Sequence, residues 1–135
     1  MSILLENLSN GGDVMTEQGN LKIKVQVMAG DAIAIGPGKA ALLEAIDQTG
    51  SIAGAGRALG FSYRRTRDMV NTLNTAWQAP LIGTSKGGAG HGGATLTPEG
   101  RDLLAAYGKL TASLDEMAQG HAPALLSKLK GAIDA

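Results

Sequence analysis

The chain has 135 residues, 44% of them hydrophobic, which suits one domain with a single core and room for an appended helix. Twelve basic residues balance twelve acidic ones, so no overall positive charge announces a polyanionic partner, and the absence of cysteine excludes disulfides and thiolate metal sites. No apolar run is long enough for a bilayer, and MSILLENLSNGGD lacks the basic start and long apolar core of a signal peptide, so a cytoplasmic protein is expected.

Residues 1–20 read as a mixed arm. Asn10-Gly11-Gly12-Asp13 is a loop signal, and order is expected here only if the arm packs on something. LKIKVQVM (21–28) alternates apolar and polar residues and predicts a strand with one wet face. Ala29-Gly30-Asp31 turns the chain. Beyond Gly36-Pro37-Gly38, a helical stripe of Ala41, Leu42, Ala45 and Ile46 runs to Gly50.

Ser51 to Trp77 holds two short helical patterns separated by Gly60-Phe61. Ile52, Ala55 and Leu59 share one face of the first, which Ser51 can cap and Gly60 can close in a left-handed turn. Ser62 restarts a helix with Met69, Val70, Leu73 and Trp77 as its apolar face, ended by Ala79-Pro80. Two helices joined so tightly must cross steeply, as in a helix-turn-helix. Ala53, Gly54, Ala55, Gly56 and Ala58 let them approach.

LIGTSKGGAGHGGATLT (81–97) predicts a hairpin with a glycine-rich tip and a return strand at Ala94–Thr97. Thr97-Pro98-Glu99 starts a helix, combining a cap, a proline at the first helical position and an early acid. Leu103, Tyr107, Leu110, Leu114 and Met117 follow at spacings of four and three, a heptad seam suited to pairing with a second copy. Gly120-His121-Ala122-Pro123 is expected to break that helix, with Leu125, Leu126, Leu129 and Ile133 in a separate short one.

The fold class is therefore mainly α with a small β-hairpin wing: a winged helix-turn-helix plus a long C-terminal dimerisation helix. Residues 1–20 form an arm, 21–100 the winged helix-turn-helix and 101–135 the dimerisation helix and tail.

Charge is unevenly spread. From Arg57 to Arg101, six basic residues (Arg57, Arg64, Arg65, Arg67, Lys86 and Arg101) face two acidic ones, Asp68 and Glu99. Arg64, Arg65 and Arg67 crowd the first turns of the second helix, with Asn71 a turn further on. Arginine and asparagine are the side chains that read guanine and adenine edges in a major groove. Ser62 and Tyr63 suit capping or phosphate contact, and Arg57 suits a phosphate. Lys86 and His91, with the exposed amides of the hairpin tip, suit a phosphate backbone.

Gly88-Ala89-Gly90-His91-Gly92-Gly93 matches the dinucleotide-binding glycine pattern in form, but no helix opens within it to receive a phosphate. His91 and His121 are isolated, and no catalytic triad or carboxylate pair stands out. No enzyme, metal site or cofactor is expected.

GSIAGAGRALGFSYRRTRDMVNTLN, followed by GGAGHGGATLTPEG, resembles the amino-terminal DNA-binding domain of the molybdate-dependent ModE regulators, and more distantly that of LysR-type regulators. Gly50-Ser51-Ile52, Ser62-Tyr63, Asp68, Val70-Asn71, Asn74, the glycines of 87–93, Leu96-Thr97 and Gly100 carry the match, which covers roughly residues 21–119. The resemblance implies that the third core helix enters the major groove, the hairpin is the wing and the long helix makes a homodimer. It also implies a transcriptional regulator, linked to molybdenum metabolism. The chain ends where the family's molybdate-binding domains would begin, so oxyanion sensing does not carry over and any effector is unknown. Thr84 and Ala89 stand where the family usually has basic wing residues, and Arg67 where it has an aromatic one.

The expected partners are double-stranded DNA and a second copy of the chain, with no membrane. Two other readings fit the residues: a winged helix that docks a protein, or a small oxyanion-binding protein using the glycine loop.

Overall fold

The computed structural model describes residues 13–86 and 92–131. Six short strands and four helices occur among them: β1 (Val14–Met15), β2 (Asn20–Leu21), β3 (Val27–Ala29), β4 (Ala32–Ile35), α1 (Pro37–Thr49), α2 (Ile52–Ala58), α3 (Tyr63–Thr75), β5 (Ile82–Lys86), β6 (Gly92–Leu96) and α4 (Pro98–Leu126). The strands pair as three antiparallel hairpins, β1 with β2, β3 with β4 and β5 with β6. The mainly α fold with a small β wing is what the sequence predicts.

The helix ends follow from local chemistry. Ser51 Oγ accepts the Gly54 N–H at 2.9 Å, Ser62 Oγ the Arg65 N–H at 3.1 Å and Thr97 Oγ1 the Gly100 N–H at 3.0 Å. Gly60, at φ 73°, reverses the chain between α2 and α3 in a conformation that a side chain would strain. The close approach across that turn falls at Gly56, whose bare Cα lies against the Thr66 side chain.

One core gathers Ile35, Leu42, Leu43 and Ile46 with Leu73 of α3, Leu81 and Ile82 of the wing, and Leu104 and Tyr107 of α4. Asn74 Oδ1 accepts the N–H groups of Leu81 and Ile82, and the Ala94 N–H donates to the Gly50 carbonyl at 2.9 Å. The wing is thus tied to both α3 and α1.

Four features differ from the sequence reading. Only the ends of the 21–28 segment are ladder-bonded: β2 closes at Leu21 and β3 opens at Val27, leaving residues 22–26 outside any ladder between two hairpins. β4, an AIAI run, pairs with β3. α3 stops at Thr75, before Trp77, whose Nε1–H donates to the Ala34 carbonyl at 3.3 Å.

The fourth difference is the largest. α4 runs through Pro123 to Leu126 instead of breaking at Gly120. A proline inside a helix costs about 3 kcal/mol. Here Ala118, Ala122 and Leu126 make a second small core with Val14, Leu21 and Ile23, and this packing offsets the penalty. The β1–β2 hairpin thereby docks on α4, and order in residues 14–21 comes from within the chain. Residue 133, assigned to a terminal helix from sequence, lies outside the described residues.

A candidate nucleic-acid interface

α3 is two-faced. Thr66, Met69 and Leu73 are buried against the core, and Thr66 Oγ1 donates to the Ser62 carbonyl at 2.8 Å. Arg64, Arg67, Asp68 and Asn71 are exposed on the other side. Among the described residues the ion pair found joins Arg101 to Asp47 at 2.9 Å, so Arg64 and Asp68 do not neutralise each other. Arg101, counted from sequence with the basic segment, is instead spent on holding α4 to the end of α1.

The remaining site residues separate by environment. The Arg65 guanidinium lies 4.2 Å from the centre of the Phe61 ring and the Arg67 guanidinium 5.7 Å from that of Tyr63, both within cation–π range. Phe61 is partly buried against the core, and Arg65 leans back toward the first turn of α1 while remaining exposed as a residue. Tyr63 is 71% exposed, a large aromatic ring at the start of α3 that the core does not use. Ser62 Oγ accepts the cap bond, which leaves its hydroxyl proton to donate elsewhere. Arg57 sits exposed in the last turn of α2. Lys86 ends β5, but its side chain lies outside the described residues, as does all of His91.

A groove lined by Lys39, Ser62, Arg64, Arg65, Asp68 and Thr72 runs along α3, and a second one of about 480 Å³ continues from Lys39 and Arg65 toward Lys24. Lys39 was not singled out from sequence. Burial lowers its pKa from the ordinary lysine value, and the charge of Arg65 lowers it further. The signal that would have found it is local: a cation in the first turn of a helix that has no acid there.

The heptad seam is divided. Tyr107 is 4% exposed and donates from its hydroxyl to the Val25 carbonyl at 2.8 Å, and Leu103 packs against the same core. Leu110 and Met117 face outward at 48% and 65% exposure, with Leu114 half-buried between them. Among the described residues no group of His, Asp or Glu is arranged to hold a metal ion, and no helix is long and apolar enough to cross a membrane.

A helix with its cations outward and its apolar face on the core, braced by a hairpin, defines a mainly α module with a β wing. No protein-family model matches the chain. Individual relatives do. The chain is 42% identical over 83 residues to the molybdenum-pterin-binding protein MopB of Rhodobacter capsulatus, covering 62% of this chain and 31% of that protein. It is 39% identical over 71 residues to the transcriptional regulator ModE of Yersinia pestis, and 35% identical over 71 residues to the DNA-binding transcriptional dual regulator ModE of Escherichia coli K12. Each of these two alignments covers 53% of this chain and 27% of the relative. The chain thus spans less than a third of the length of these curated relatives, and the resemblance to ModE-type regulators read from its motifs is upheld over that part.

Proposed function

We propose that this chain binds double-stranded DNA in a sequence-specific manner as a homodimer, acting as a ModE-like transcriptional regulator linked to molybdenum metabolism. The observation that carries the reading is the outer face of α3, where Arg64, Arg67 and Asn71 are exposed while Thr66, Met69 and Leu73 hold the opposite face in place. Helices of this kind insert their amino-terminal half into the major groove, where arginine pairs with guanine and asparagine with adenine. Two relatives are named as transcriptional regulators, one of them as DNA-binding, which supports the class.

Pairing falls to α4. Leu110, Leu114 and Met117 form the outward part of the seam, while Leu103 and Tyr107 complete the fold of one chain. A symmetric pair would place two α3 helices in successive major grooves about 34–36 Å apart, on a near-palindromic site. Ser62 and Tyr63 at the start of α3, Arg57 beside it, and Lys86 and His91 on the wing would position the backbone.

Selection of bound fragments from random duplex DNA tests the reading, followed by titration of the selected site against scrambled duplex. Enrichment of a two-fold-symmetric sequence with salt-sensitive affinity is expected. Retention that is equal for every sequence, or no retention, overturns it.

A further inference from the structure

We propose that Lys39 and Lys24, together with Arg65, form a clamp for a backbone phosphate of the duplex that α3 enters, extending the interface onto the start of α1. The inference rests on the DNA-binding reading and names a contact which that reading does not contain. Three segments distant in sequence bring these cations to one groove: the run 22–26 between the first two hairpins, the first turn of α1 and the first turn of α3. No aspartate or glutamate lines this part of it, and the nearest acid along the continuing groove is Asp68, which forms no ion pair with any of these cations. Arg65 reaches over the first turn of α1, so that a side-chain carbon placed on Gly38 would lie 3.9 Å from its Nη2.

This arrangement is costly to the free protein. Lys39 is partly desolvated and faces the like charge of Arg65, and it occupies a helix amino terminus where a cation opposes the macrodipole. The capping residue Gly36 offers no side chain to the amides of that first turn. An oxyanion seated between the two cations answers all three features at once. Because Arg65 is on the helix proposed to enter the groove, the oxyanion within reach is a phosphate flanking the bases it faces.

The test uses the full chain and Lys39→Gln, titrated with selected and scrambled duplex from low to moderate salt, alongside urea unfolding. The clamp predicts that the variant weakens binding to both duplexes alike. Its slope of log affinity against log salt should be shallower by up to about 0.9, the value for one whole phosphate. Its urea midpoint should be unchanged or raised, since a repelled charge is removed. Lys24→Gln should shift the salt slope in the same direction. An unchanged salt slope overturns the clamp, as does a variant that alters the ratio of selected to scrambled binding. A parallel titration with inorganic phosphate against chloride at equal ionic strength covers the free ion. Saturable phosphate binding lost in Lys39→Gln, with the DNA slope intact, assigns the groove to that ion and overturns the clamp. Absence of DNA binding by the unmodified chain overturns the parent reading and the clamp together, and is visible in that control alone.

Discussion

Gly100 faces the main chain of Leu81 so closely that a side-chain carbon there would lie 3.0 Å from the Leu81 carbonyl carbon and 3.2 Å from its Cα. This is where the wing meets the base of α4. Both sides are backbone, so neither can swing away. Gly100→Ala should destabilise the fold by about 1–3 kcal/mol despite the better helix propensity of alanine. Gly120, in the same helix, has nothing within 4 Å of the equivalent position. Gly120→Ala should stabilise by about 0.4–1 kcal/mol. Urea unfolding of the two variants should therefore give opposite signs, and equal signs would contradict the packing described.

Asn74 joins the helix proposed to read DNA to the hairpin proposed to flank it. Its Oδ1 accepts the Leu81 N–H at 3.1 Å and the Ile82 N–H at 2.9 Å, at residues that are both buried. Asn74→Ala strands both donors and should cost about 2–3 kcal/mol, because a buried unsatisfied N–H costs more than a made bond contributes. Asn74→Asp retains the acceptor and should recover most of the loss at neutral pH. Denaturation midpoints for the pair decide whether the acceptor or the side-chain volume matters.

How much of this was legible beforehand follows from how local each determinant is. Ser51, Ser62 and Thr97 cap helices through contacts three residues away, so their chemistry is written in adjacent letters. The outward face of α3 follows from its period. Pro123 misleads, because what carries α4 past it is the packing of Ala118, Ala122 and Leu126 on Val14, a residue about a hundred positions away in sequence. Tyr107 obeys the heptad spacing yet turns inward, since Val25 supplies a carbonyl that no spacing rule can see. β4 was missed because AIAI alternates nothing polar and its partner lies across a turn. Lys39 carries a local signal at its helix start, but its pairing with Arg65 exists once α3 folds back beside it.

The burial of Tyr107 makes stability depend on alkaline pH. Burial holds the phenol above its ordinary value of 10.0, to which it returns on unfolding. Above about pH 10 the folded chain therefore keeps a proton that the unfolded chain releases. The contribution is complete below that pH and is lost as pH rises through the folded value. Tyr107→Phe should cost about 1 kcal/mol at pH 7 by leaving the Val25 carbonyl unpaired. It should also flatten the decline between pH 10 and higher values, where thermal midpoints of the two proteins should converge.

Arg101 and Arg57 separate total charge from placed charge. Arg101 is engaged with Asp47, and both side chains are substantially solvated, so the pair should contribute no more than about 1 kcal/mol. Arg101→Gln should leave the salt dependence of DNA binding unchanged. Arg57→Gln, removing an exposed cation beside α3, should make it shallower by about 0.9. Equal slopes for the two variants would show that bulk charge, and not position, governs retention.

Arg64 bears most directly on sequence reading. It is exposed near the start of α3, is unpaired with Asp68 and does not stack on a ring as Arg65 does. An arginine bidentate to guanine contributes about 1–3 kcal/mol of discrimination, whereas one held to a phosphate weakens all duplexes together. Arg64→Ala should therefore cost about 1–3 kcal/mol on the selected site and much less on scrambled DNA, narrowing the ratio between them. Lys39→Gln should lower both affinities and preserve that ratio. If Arg64→Ala also preserves the ratio, base reading passes from Arg64 to Arg67 or Asn71, and the same comparison on those variants locates it.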